Sequence, residues 1–198
     1  MAIEVRTVSG YDQLERWTAT RNVPGPEVFT TELAALVRAT ELDRVDLLAL
    51  EDGDPVGMGF LSADPVSRET GRAFVQVKVP EEHRGRGVGS ALLAAVSNHA
   101  RRLGVSALRC SAREDDAYSV AFLERRGFEV WTRASSGEWR GRGVGSSLLR
   151  TQAEAARALG LRELVAIALV KPIQRLYERC GYQSREHWLG FEGPLLAG

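Results

Sequence analysis

Residues Arg84–Leu93 read RGRGVGSALL and residues Arg140–Leu149 read RGRGVGSSLL, differing only at Ala91 against Ser147. A repeat this close is beyond chance, and the repeated unit carries chemistry of its own: a glycine-rich turn running straight into an amphipathic helix. That arrangement aims a helix N-terminus, with its unpaired amides and positive dipole end, at an anion. The loop length suits a pyrophosphate on a phosphorylated ligand. Gly85, Gly87 and Gly89 let the chain turn sharply and bring amides close to phosphate oxygens with no Cβ in the way. Arg84 and Arg86 can add charge-assisted hydrogen bonds. The dipole supplies only about 0.3–1 kcal/mol at an exposed helix end, so amides and arginines carry most of the affinity.

Other glycine loops fit worse. A P-loop ends in Gly-Lys-Ser/Thr, whereas Gly89 is followed by Ser90 and Ala91. The dinucleotide fingerprint is GxGxxG, whereas Gly85, Gly87 and Gly89 stand at GxGxG spacing. Arginine-glycine segments that bind nucleic acid are disordered, and this one opens a patterned helix.

At 198 residues the chain can bury one full core, or one domain plus a fragment. Hydrophobic content of 44% and charged content of 26% place it among globular proteins. No run approaches the ~18 apolar residues of a membrane helix, and MAIEVRTVSG lacks the layout of a secretory signal. Basic and acidic residues balance at 26 each, which argues against a general nucleic-acid binder. The basic residues are nearly all arginine, with Lys78 and Lys171 the exceptions, a bias that a GC-rich bacterial genome explains. Cys110 and Cys180 form neither a disulfide framework nor a zinc spacing and read as idle thiols. The expectation is a cytoplasmic protein with no metal, no membrane contact and no nucleic-acid partner.

Along the chain, Ile3, Val5 and Thr7 alternate as a first strand, and Tyr11–Thr20 and Thr30–Thr40 are helical in pattern. Val45–Leu50 and Val56–Ser62 are strands joined by a turn at Asp52-Gly53. Ala73–Val79 alternates and stops at Pro80. A helix from Ser90 to Leu103 ends at Gly104, Val105–Ala112 is a strand, Ala117–Arg126 a helix and Phe128–Arg133 a strand. The reading is a mixed α/β domain over residues 1–137. Residues 138–198 repeat its later part: helix Ser146–Leu159, strand Leu164–Val170 and helix Pro172–Cys180, with YERCGY (Tyr177–Tyr182) echoing LERRGF (Leu123–Phe128). The leading strands are not repeated, since Trp131, Arg133 and Ser135 make a poor strand opposite Val75, Val77 and Val79.

The run VKVPEEHRGRGVGSALL (Val77–Leu93), with LERRGF downstream, resembles the GNAT superfamily of acyl-CoA-dependent N-acetyltransferases. Arg84–Gly89 is similar to that superfamily's R/Q-x-x-G-x-G pyrophosphate loop. The resemblance spans residues 3–137 in element order, and Trp139–Tyr182 resembles the C-terminal half again, as in a tandem-type member with an incomplete second copy. It implies a GNAT-like acyl-CoA N-acyltransferase fold with a partial second repeat. Acetyl-CoA would be the cosubstrate, with Val77 and Val79 pairing to the pantetheine arm. Arg84, Gly85, Arg86, Gly87, Val88, Gly89 and Ser90 would hold the pyrophosphate. Transfer would go to a small-molecule or peptide amine by direct attack in a ternary complex. Acceptor pockets of such folds are built by the early helices and the closing hairpin.

The superfamily often places a tyrosine four residues before the closing glycine of the last helix, to protonate the leaving thiolate. Tyr177 occupies that position in the second copy and is the motif-matched catalytic candidate; the first copy has Leu123 there. Tyr118, five residues before Leu123, lies about 140° round the helix and does not substitute by register. Base candidates are Glu81, Glu82 and His83 beside the loop and Glu114, Asp115 and Asp116 at a strand end; His99 and His187 read as surface or packing residues. The alternative is a non-catalytic acyl-CoA-binding regulatory module, or one that mainly dimerises to shield an open sheet edge.

Overall fold

The computed structural model describes residues 2–23, 29–41, 43–63, 71–139, 165–168 and 182–196. They fall into two compact units: residues 1–110 with 193–198, and residues 111–192.

The first unit is a sheet with helices on both faces. Strand β1 (Ile3–Thr7) pairs antiparallel with β2 (Val45–Glu51), β2 with β3 (Asp54–Ser62), and β3 with β4 (Arg72–Lys78). The β2–β3 turn is the one expected: Asp52 and Gly53 both take positive φ, 52° and 91°, which matches the right-handed twist of the flanking strands. Strand β5 (Ala107–Arg113) then joins β4 in parallel, and the α/β expectation holds.

Helix α1 (Gly10–Asn22) packs on β2 and β3, and α2 (Thr31–Thr40) packs on α1. Thr30 caps α2, its side chain accepting from the Leu33 amide at 3.2 Å. Under these helices lie Val8, Leu14, Trp17, Leu48, Leu50, Met58 and Phe60. Trp17 is fully buried, and its indole N–H donates to the Gly59 carbonyl at 3.1 Å, so the ring brings no unsatisfied donor into the core. Asp46 is also buried here. Burial pushes its carboxyl above the ordinary aspartate value, while Arg44 at 2.9 Å and Arg38 at 3.4 Å pull the other way.

The opposite face carries α3 (Val88–Arg102), which packs across β1 to β4 through Val88, Leu92, Leu93, Val96 and Ala100. Its seat depends on Gly57. A Cβ there would meet Val88 Cγ1 at 2.8 Å and Leu92 Cδ1 at 3.1 Å. The tail fastens α3 as well, the Leu196 amide donating to the buried Ser97 hydroxyl at 3.2 Å.

The second unit holds α4 (Ala117–Glu124), β6 (Glu129–Trp139), β7 (Val165–Ala168) and most of β8 (Tyr182–Pro194). Strand β6 pairs antiparallel with β8 from Glu129↔Glu192 to Trp139↔Tyr182, and on its other side with β7. The poor strand expected around Trp131, Arg133 and Ser135 is therefore part of a long one. Pairing with two neighbours outweighs its weak local alternation. The boundary drawn at residue 137 falls inside β6, and residues 140–181 form the connection between two paired strands. Of the expected second-copy elements, the strand Leu164–Val170 is described over Val165–Ala168. Its pyrophosphate loop and both helices, with Tyr177 and Cys180, lie outside the described residues.

Candidate functional site

The loop at the head of α3 is built from three local choices. Pro80 opens a single 3₁₀ turn, Glu81–His83, closed by the Arg84 amide donating to Glu81 O at 3.1 Å. Gly85 and Gly87 then adopt φ of 77° and 87°, the left-handed conformation that a side chain resists. Gly87 is the N-cap of α3, with no side-chain cap, and the first intrahelical bond runs from the Ala91 amide to Gly87 O at 3.0 Å. The amides of Val88 and Gly89 thus head the helix with no intrahelical partner, which suits an anion. A Cβ on Gly85 would meet nothing within 4 Å, so the space above the loop is open.

The two arginines have partners within the protein. Arg84 Nε donates to Val79 O at 3.4 Å, and Arg86 pairs with Glu51 at 3.4 Å across to the β2–β3 turn. Arg86 remains half exposed, and both side chains brace the loop in this conformation.

Beside the loop, β4 offers an unpaired edge. Its parallel ladder with β5 covers Arg72↔Ala107, Ala73↔Leu108 and Phe74↔Arg109. Beyond Phe74, Val75–Val77 have β3 on one side and no ladder partner on the other among the described residues. The expected pantetheine residues Val77 and Val79 stand on and just past that edge. Strand edge and helix head are joined by the residues between Lys78 and Val88, so the sequence candidates Val77, Val79 and Arg84–Ser90 come together in one stretch.

Of the acid–base candidates, Glu81, Glu82 and His83 form the turn that leads into this loop, whereas Glu114, Asp115 and Asp116 are engaged elsewhere. Asp116 caps α4, accepting from the Ser119 amide at 3.1 Å and the Ser119 hydroxyl at 2.6 Å. Asp115 is paired with Arg113 at 2.6 Å, a hydrogen bond that lowers its pKa and makes it a weaker base. Glu114 pairs with Arg133. Leu123, where a general acid was sought, is 8% exposed, whereas Tyr118 on the same helix is 45% exposed. His99, read from the sequence as a surface or packing residue, has Arg102 at 2.8 Å from its Nδ1.

Two polar atoms are buried without a hydrogen-bond partner: Gln76 Oε1 on β4, which the sequence did not single out, and Nδ1 of the base candidate His83 in the turn. Gln76 had no legible signal. Gln76 reads as an outward polar position of an alternating strand, but both faces of this sheet carry helices. Among the described residues no cluster of potential ligands fits a metal ion, and no helix is long and apolar enough to cross a membrane.

Comparison with known proteins adds three findings. No curated protein matches the chain. Among solved structures it is similar to the ribosomal-protein-S18-alanine N-acetyltransferase of Escherichia coli, with 13% identity, TM-score 0.61, and 100% of this chain and 97% of that one covered. Ard1 of Thermoplasma volcanium gives 18%, 0.61, and 100% of both chains. YncA of Salmonella typhimurium, solved with its cofactor acetyl-CoA, gives 15%, 0.60, and 100% and 96%. At these identities the likeness speaks for the fold. The family models speak for descent: the Acetyltransferase (GNAT) family matches residues 12–128, and an Acetyltransferase (GNAT) domain matches residues 135–184. With more than half of its length matched, the chain belongs to the GNAT family of acetyltransferases.

Proposed function

We propose that this chain is an N-acetyltransferase that transfers the acetyl group of acetyl-CoA to a primary amine, on a small molecule or a peptide, by direct attack in a ternary complex. It would work in the cytoplasm. The observation that carries the reading is the continuity of the open β4 edge, the doubly left-handed glycine loop and the uncapped head of α3. Amides of Val88 and Gly89 fit a pyrophosphate, and the edge at Val77 fits an extended amide-bearing arm. Acetyl-CoA would supply an activated acyl carbon. The chain's part is to hold it, fix the direction of approach and offer hydrogen-bond donors where negative charge develops.

Residues 138–198 fit a partial second repeat, with the family-model match at 135–184 in its favour and Tyr177 as its motif-matched acid. A second reading, a non-catalytic acyl-CoA-binding or dimerising module, is favoured by buried Leu123 where a general acid would stand. Calorimetric titration with acetyl-CoA, followed by thiol release in the presence of amines, separates the two. One site per chain with turnover supports transfer. Binding without turnover on any amine supports the second reading, and absence of binding by folded protein removes both. Two sites per chain would make the second repeat competent and Tyr177 its catalytic group.

A further inference from the structure

We infer that Gln76 and Phe74 on β4 form a recognition site for a primary amine carrying a flat apolar group. The Gln76 side-chain oxygen would accept an N–H of the amine, and the Phe74 ring would cover the apolar body. The inference rests on the acetyltransferase reading and names the acceptor class for it.

Gln76 is the Cα partner of Phe60, so the two side chains leave the sheet on the same face. Phe74, two residues earlier, shares that face. Phe60 belongs to the core under α1 and α2 and lies 5.9 Å from Phe74, ring to ring. Trp17 and Phe29 extend the aromatic wall, at 6.3 Å from each other. In this setting Gln76 Oε1 is buried and accepts no hydrogen bond. An unsatisfied buried acceptor is destabilising, and an N–H donor entering from outside relieves it. Phe74 breaks the opposite rule. It sits on a strand with sheet on both sides at that point, yet the residue is 41% exposed.

One position therefore lacks a donor and its neighbour lacks an apolar cover. Residues two apart on a strand stand roughly 7 Å apart, about the span from an amine nitrogen to a ring two methylenes away. Both positions lie where β4 loses its β5 partner, next to the edge assigned to the acyl donor.

The test uses 2-phenylethylamine and propylamine, titrated by calorimetry into the full chain with and without saturating CoA. Phenylethylamine is expected to bind at least about tenfold tighter, Phe74→Ala to bring the two amines level, and Gln76→Leu to weaken both. Gln76→Glu, which keeps an acceptor oxygen, should restore binding. Equal affinities in the unaltered chain, or no binding of either amine, overturn the inference without recourse to variants. So does a Gln76→Leu chain that melts higher yet binds amines unchanged, since the oxygen is then only a packing defect. Acetyl-CoA titrated separately tells the two failures apart. Loss there removes the acetyltransferase reading, whereas acetyl-CoA binding without amine preference removes only this one.

Discussion

Cys110 shows what burial does to a reactive group. The thiol sits on β5, buried, and desolvation pushes its pKa up to about 12. An exposed cysteine ionises near 8.5, so at pH 8 the native Cys110 has almost no thiolate to react. In a Cys180→Ser background, native protein at pH 8 should be silent to a thiol-titrating disulfide and should release one equivalent on unfolding. Rapid labelling of the native form would contradict the burial. The sign of the linkage follows. Stability is unaffected below the unfolded thiol's pKa, then falls as pH rises toward the folded value, because only the unfolded chain can ionise there. Residue types and motif spacing made the glycine loop legible in the sequence, since left-handed turns announce themselves as glycine. They left Gln76 invisible, because its significance is the absence of a partner, which only three-dimensional neighbours define.

Among the elements, α3 heads the candidate site and Gly57 governs where the helix lies. Adding a methyl at that position sets a Cβ 2.8 Å from Val88 and 3.2 Å from the Lys78 carbonyl, one a side chain of the helix's first turn and the other backbone. Gly57→Ala should cost about 1–3 kcal/mol, the usual range for overpacking. It should also weaken acetyl-CoA by displacing the head of α3. Thermal melting and calorimetry on the same variant check both, and an unchanged affinity would mean that α3 moves as a body without disturbing its N-terminus. The helix and the β2–β3 hairpin were foreseeable because each is written in local periodicity and turn chemistry. The β6–β8 pairing was not. Its strands are separated by residues 140–181, and each alone has weak alternation, so the stabilising information is in the partner.

For the molecule as a whole, the connection between β6 and β8 begins and ends at neighbouring positions, because Trp139 and Tyr182 are Cα partners. Replacing residues 140–181 by Asn-Gly removes β7 but keeps the longer β6–β8 ladder, and should give a tight hairpin in the same register. The shortened chain is expected to fold cooperatively and to bind one acetyl-CoA with unchanged affinity. Aggregation or lost binding would show that the intervening segment is integral to the domain.

That same pairing imposes an order on biosynthesis. Strand β8 is translated roughly two to nine seconds after β6 at ordinary elongation rates. Throughout that interval the nascent β6 must wait with its β8-facing edge open, the condition in which strands recruit wrong partners. Yield in a cell should therefore depend on how fast the ribosome crosses residues 140–181, and synonymous codons there become a determinant of how much protein reaches the native state.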